Sequence, residues 1–208
     1  NFLKRIFFKF QYKKMYAYES NICEKMDKCY MITKEDISRI TSMNSKICTG
    51  YLPAGVDSNF FKPTKKTNTN NTAIFLGTLN WYPNEEGILW FCKSILPYIL
   101  KFVPDFTFYI VGKNPTNIIK KYNGKGIKII GYVKDVREYI EQASLFIVPI
   151  KSGGGMRIKI LEAFSMGKAV ISTSIGCEGI ECENRKNIYI EDDEKGFAQA
   201  VIELLKNP

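Results

Sequence analysis

From Thr72 onward, short β-branched runs alternate strictly with longer amphipathic ones, and this rhythm limits the fold more than any other feature of the chain. The short runs are 73–77, 106–112, 127–130, 145–149, 169–172 and 187–190; the longer ones lie near 84–101, 115–122, 135–142, 156–166 and 193–206. Continuous apolar runs suit strands buried on both faces, and the stretches between them suit the helical crossovers that parallel strands need. The expected fold is α/β, a Rossmann-like doubly wound parallel sheet of about six strands with helices on both faces. Ligands bind such sheets beyond the carboxyl ends of the strands. The loops 77–84, 112–115, 131–134, 149–156 and 173–180 are therefore the places to look for chemistry.

Residues 1–49 read differently. They are basic and aromatic, and their pattern predicts a helix, a short strand around Cys29-Tyr30-Met31-Ile32-Thr33, and a second helix with Thr33 as N-cap and Glu35 and Asp36 in its first turn. Pro53, Pro63 and the polar run 64–72 cannot build core, so 50–72 reads as a connector to a domain at 73–208. Charge follows this division: residues 1–72 carry 13 Lys/Arg against 6 Asp/Glu, and the rest carry 17 against 15. The near-neutral second part offers no footprint for nucleic acid. The start of the chain, with Lys4, Arg5, Lys9, Lys13 and Lys14 among Phe and Tyr, has two readings. One is an amphipathic helix resting on an anionic membrane surface. The other, which we take, is a piece of a domain cut from a longer protein, its partner surface missing.

Composition removes several function classes. At 45% hydrophobic and 25% charged, the 208 residues suit a globular chain. The longest apolar run, 95–100, is far short of the roughly 18 residues of a membrane span. No histidine is present, so Ser-His and Cys-His nucleophiles and a His base cannot occur within the chain. Six cysteines without a C-x-x-C pair read as free thiols in a reducing cytoplasm, with contact at the inner membrane face left open. Glu191-Asp192-Asp193-Glu194 reads as dipole partners of the following helix rather than a metal site, and Asn84 before Glu85 and Glu86 as an N-cap. Trp90 and Phe91, with Ile88, Leu89, Ile95, Leu96 and Ile99, form an apolar stripe expected in the core.

The most informative stretch runs from Pro149 to Gly167. Gly153-Gly154-Gly155 after an apolar run lets backbone N–H groups approach a ligand, and the helix that follows directs its positive end into the same loop, an anion site in outline. Arg157 and Lys159 are expected in the first turn of that helix, where cations oppose the macrodipole unless a bound diphosphate reverses the sign; otherwise they reach solvent. Glu162, three residues after Lys159, suits either two ribose hydroxyls or an ordinary Lys-Glu helix pair.

Taken together, the glycine loop, Arg157-x-Lys159-x-x-Glu162-Ala163, Met166-Gly167-Lys168 and Gly176-Cys177-Glu178-Gly179 resemble the donor-binding domain of retaining, family 4 (group 1) glycosyltransferases of the two-domain GT-B fold. Leu52-Pro53-Ala54-Gly55-Val56-Asp57 with Phe61-Lys62-Pro63 resembles the family's interdomain linker. Phe75-Leu76-Gly77, Tyr109-Ile110-Val111-Gly112 and Ile130-Gly131-Tyr132-Val133 resemble its strand ends. The resemblance implies a nucleoside diphospho-sugar as substrate, with Glu162 on the ribose and the diphosphate on Gly153, Gly154, Gly155 and the helix start. Gly77 and Thr78 would also line the donor site, with Tyr132 and Val133 near the base. It implies no resident cofactor and no required metal, because Arg157 and Lys159 take the phosphate role. It also implies a glycan or lipid-linked acceptor, as in polysaccharide biosynthesis, held mainly by an N-terminal domain of which 1–49 is the end; the fragment alone is expected to be inactive. Gly154 stands where the family's first motif glutamate belongs, the feature that favours the alternative, a nucleotide-sugar-binding module without turnover.

Overall fold

The computed structural model describes residues 2–64 and 71–207, which divide into two compact units between Ala54 and Gly55. In the first unit, α1 (Phe2–Glu24) precedes β1 (Cys29–Met31), α2 (Lys34–Met43) and β2 (Thr49–Tyr51). β1 and β2 are parallel, pairing Cys29 with Thr49 and Met31 with Tyr51. Thr33 caps α2 as expected, its Oγ1 accepting the Asp36 N–H at 3.0 Å. The sequence pattern missed β2 because three residues beside Pro53 carry no periodicity; Gly50 and Tyr51 were expected in the connector.

α1 is helical but has no buried residue. Its basic side chains are also not segregated: at 100° per residue, Lys4, Arg5, Lys9, Lys13 and Lys14 spread around the whole circumference among Phe2, Ile6, Phe7, Phe8 and Phe10. The alternative reading, an amphipathic helix on a membrane surface, finds no segregated basic face here. Among the described residues, no helix is long and apolar enough to cross a membrane.

The second unit is a six-stranded parallel sheet of β3 (Thr72–Leu76), β4 (Thr107–Val111), β5 (Ile127–Gly131), β6 (Leu145–Val148), β7 (Ala169–Ser172) and β8 (Tyr189–Ile190). Its spatial order is β5-β4-β3-β6-β7-β8. The chain winds outward from β3 to the edge, then returns to lay β6 against the other side of β3, in register Ala73 with Leu145. Only β8 is much shorter than its predicted run, because Asn187 hydrogen-bonds Glu183 in a turn and Ile188 only bridges Asn184. The sheet is covered by α3 (Tyr82–Trp90), a π-helical turn Phe91–Ile95, α4 (Leu96–Phe102), α5 (Asn117–Lys120), α6 (Arg137–Gln142), α7 (Ile158–Ser165) and α8 (Glu194–Lys206). Most of the apolar stripe lies where the sequence puts it: Ile88, Phe91, Ile95, Leu96 and Ile99 are buried, and Phe91 meets Phe108 with ring centroids 4.4 Å apart, whereas Leu89 and Trp90 are only partly buried against the core.

Residues 57–64 of the expected connector are fastened to this unit. Arg137 lies 3.8 Å over the Phe60 ring and donates to Phe60 O, while Ser165 Oγ donates to Phe61 O. The rest of the polar run, 65–70, lies outside the described residues. The acidic run is occupied by protein groups: Glu191 pairs with Arg185, Asp192 accepts from Ser174, Asp193 caps α8 and Glu194 accepts from Trp90 Nε1.

Helix α3 backs onto the end of β6 through Gly87, where an added Cβ would collide with the carbonyl oxygen of Pro149. Gly87→Ala must therefore push α3 away from the sheet, and we expect a loss of about 1–3 kcal/mol in chemical denaturation. Gly55→Ala, with open space around its Cβ, should change stability by less than about 0.5 kcal/mol in the same measurement.

Candidate functional site

The winding reverses between β3 and β6, so the loops that follow these two strands diverge and leave a crevice at their carboxyl ends. Most of the residues singled out in the sequence converge there. After β6 the chain turns through Gly153, Gly154 and Gly155; Gly153 and Gly155 have φ of +90° and +87°, a conformation that side chains with a Cβ rarely adopt. Arg157 gathers the carbonyls of this loop. Its guanidinium donates to Gly154 O at 2.8 Å, to Gly153 O at 3.2 Å and to Gly155 O. Arg157 is the residue before α7, with φ −94° and ψ 85°, and not part of its first turn as expected.

Lys159 does lie in that turn, and it folds back toward β3 instead of reaching solvent. Its Nζ donates to Leu76 O at 2.5 Å and sits 4.4 Å from the centroid of the Phe75 ring. Burial pulls its pKa from 10.5 down to about 8, Arg157 pulls the same way and Glu162 opposes. With the ammonium committed to Leu76, Lys159 and Glu162 form no direct ion pair and act on each other only through their charges. The Glu162 carboxylate is half-buried and has no hydrogen-bond partner among the described residues; burial raises its pKa, with Lys159 opposing. Burial also lowers the pKa of Arg157, and Glu178 opposes that shift.

Across the crevice, Gly77 donates its N–H to Val111 O, and a Cβ placed on it would lie 3.0 Å from Lys159 Nζ. Thr78 O accepts from Asn84 Nδ2 at 2.9 Å. Asn84 is thus a buried brace inside α3, not the expected N-cap; the helix begins earlier, after Trp81 with Pro83 in its first turn, and a proline there is as effective a start signal as a polar cap. Glu86 ties the two loops together, accepting from Ser152 Oγ at 2.6 Å and from Tyr82 OH at 3.0 Å. Tyr132 and Val133 are not brought into this cluster. They follow β5, three strands from β6 and so roughly 14 Å along the sheet. Tyr132 is 72% exposed and Val133 packs against the core.

One site residue escaped the sequence reading. Glu178 Oε2 lies 3.9 Å from where a Cβ on Gly154 would stand. The signal was an acid between Gly176 and Gly179, in a loop that follows a strand, yet its direction depends on the turn that Thr173 and Cys177 close by backbone hydrogen bonding.

The family model for group 1 glycosyl transferases matches residues 70–207. The chain belongs to this family. It is also 28% identical over 214 residues to an uncharacterized 44.6 kDa protein in the cps region of Klebsiella pneumoniae, a match covering 98% of the chain and 54% of that protein. The chain therefore spans about half the length of its curated relative. Among solved structures, it is similar to Anabaena HepE in complex with UDP and glucose, with TM-score 0.68 and 14% identity over 86% of this chain and 53% of that one. A complex of a point mutant of S. aureus TarM with fondaparinux, α-GlcNAc-glycerol and UDP gives TM-score 0.77 and 16% identity over 93% of this chain and 40% of that one. These likenesses establish the fold: the six-stranded sheet matches the Rossmann-like domain of GT-B glycosyltransferases.

The lowered pKa of Lys159 carries a stability consequence with a definite sign. The unfolded chain holds this proton more firmly between pH 8 and 10.5, so at pH 7 the buried charge costs stability. Lys159→Met is expected to hold or raise the thermal midpoint at pH 7 in differential scanning calorimetry. A clear drop would mean that the hydrogen bond to Leu76 outweighs desolvation.

Proposed function

We propose that this chain is the donor-binding half of a retaining glycosyltransferase, which takes a nucleoside diphospho-sugar and passes the sugar to a glycan or lipid-linked acceptor. The observation that carries the reading is the convergence, at one reversal of strand order, of a glycine loop, a helix start, a buried ammonium and a carboxylate with no hydrogen-bond partner among the described residues. A diphosphate at the start of α7 meets backbone N–H groups and turns Lys159 from a cation that opposes the helix dipole into one that neutralises phosphate. Glu162 then accepts hydrogen bonds from the ribose hydroxyls, and the ligand runs along the strand ends toward Tyr132 and Val133, which flank the base. The UDP found with glucose in HepE supports this ligand class.

In this mechanism the chain's own groups act mostly by electrostatics. As the bond between the sugar and the diphosphate breaks, charge grows on the leaving phosphate oxygen, and the amides of the loop, Arg157 and Lys159 stabilise it more strongly than in the ground state. These cations let the diphosphate be held without a metal. The acceptor site is assigned to the half of the relatives' length that this chain does not span, so the 208 residues alone are expected to bind donor without turnover. We place the reaction in the cytoplasm, where six free thiols are stable. Gly154, in place of a carboxylate, favours a second reading as a binding module without chemistry; turnover by the longer parent protein separates the two.

Calorimetric titration with UDP, GDP, ADP and CMP tests the donor reading directly. One diphosphate is expected to bind selectively, and Glu162→Ala to weaken it by about 1–3 kcal/mol, the usual loss for hydrogen bonds to a charged group. Silence for all four nucleotides would overturn the assignment. The same titration has a pH signature. A bound diphosphate draws the Lys159 pKa back above 8, so binding takes up a proton in alkaline solution and affinity falls as pH rises. Between pH 7 and 9 the fall should be roughly fivefold to tenfold, and it should vanish in Lys159→Met.

A further inference from the structure

The donor reading leaves one feature of the crevice without a task. Glu178 lies in the loop after β7, and that loop is tightly built: Cys177 N–H donates to Thr173 O, Gly176 N–H to Thr173 Oγ1, and Gly179 turns the chain at φ +79°. An added Cβ on Gly176 would collide with Ser172 Oγ, so the turn is packed hard against the end of the strand. From this fixed base the Glu178 carboxylate extends beside the glycine loop, its Oε2 3.9 Å from the position a Gly154 Cβ would take. It forms no hydrogen bond or ion pair among the described residues, and Arg157 is the cation on which its charge acts. A carboxylate on a partly buried residue with no hydrogen-bond donor has acceptor capacity left over.

We infer that Glu178 is the acceptor for the hydroxyl groups of the transferred sugar, and so a specificity-determining residue for a donor whose hexose carries free hydroxyls. The inference rests on the donor reading. Within it, the charges of the ligand leave few places for a carboxylate. Against the diphosphate a carboxylate is repelled, and the ribose hydroxyls are already met by Glu162 on the next turn of α7. The part of a nucleoside diphospho-sugar that remains uncharged and rich in donors is the hexose, which lies beyond the diphosphate from the nucleoside. The glycine loop explains how it reaches Glu178: with no side chain at 153, 154 or 155, the space in front of the carboxylate stays open.

The geometry also makes Gly154 and Glu178 alternative origins for one carboxylate. Gly154 lacks the positive φ of its two neighbours, and the Glu178 oxygen lies at ordinary contact distance from its Cβ position. A glutamate at 154 can therefore occupy the volume that the Glu178 side chain now fills.

The test measures a ratio of affinities in the 208-residue chain. Three pairs are titrated by calorimetry: UDP with UDP-glucose, GDP with GDP-mannose and ADP with ADP-glucose. For the pair that binds, the gain contributed by the hexose is the affinity of the sugar conjugate divided by that of the diphosphate. Glu178→Gln, which keeps shape and folding, should reduce this gain at least fivefold, and Glu178→Ala at least tenfold. Glu178→Ala combined with Gly154→Glu should recover most of it, a result that a merely structural role of Glu178 would not produce. If a diphosphate binds but the hexose gain is the same in wild type and Glu178→Gln, the inference is overturned while the donor reading stands. If no pair binds the wild-type chain, the donor reading fails and takes this inference with it.

Discussion

Everything about the candidate site depends on one topological constraint: parallel strands cannot be joined by hairpins, so each new strand requires a crossover, and the sheet grows in one direction until the winding reverses. Here the reversal falls between β3 and β6. The loops after those two strands lead away from one another, one into α3 and the other through the glycines into α7. The gap between them exists before any residue in it is specified. Gly87, whose backbone abuts Pro149 O, fixes how deep the gap is, because it lets α3 lie directly against the end of β6.

The gap is then closed along its floor by polar side chains that cross it. Lys159 reaches from α7 to Leu76 O on β3, Asn84 from α3 to Thr78 O, and Ser152 from the glycine loop to Glu86. The first and third join elements far apart in sequence, and the second braces the start of α3 against the loop before it. Lys159 is the costly member, since burial disfavours its charge, and the site retains a cation that the folded state alone would not select. Strain of this kind is intelligible where a ligand supplies the missing countercharge, and it places the tension between stability and binding at a single atom.

The sheet was legible because strands buried on both faces read as uninterrupted apolar runs; β3, with Ala73 to Leu76 all buried, is the clearest case. The glycine loop was legible for an equally local reason, three residues without side chains ahead of an amphipathic helix. What the sequence hid was direction. Arg157 and Lys159 are two residues apart, yet one turns onto its own loop and the other crosses to another strand, and neither outcome follows from spacing along α7. Glu178 was hidden for the same reason, its position being decided by a turn packed against Ser172. Asn84 was misread because a polar residue before two acids looks like a cap, whereas Pro83 had already begun the helix. β2 was missed because its pairing with β1 is a long-range event.

Arg157 holds the three glycine carbonyls together, and this sets the character of any recognition that uses its guanidinium. To turn those three N–H groups to a phosphate it must release acceptors it already satisfies, and those carbonyls must then find water or ligand hydroxyls. Ligand capture at this loop is an exchange of one set of hydrogen bonds for another, and its driving force is the difference between them. A pocket built as a swap holds its ligand less tightly than a vacant one with the same groups, and it lets go more easily. For an enzyme that must discard a spent diphosphate after every turnover, the vacated loop has its own guanidinium ready to reclaim it.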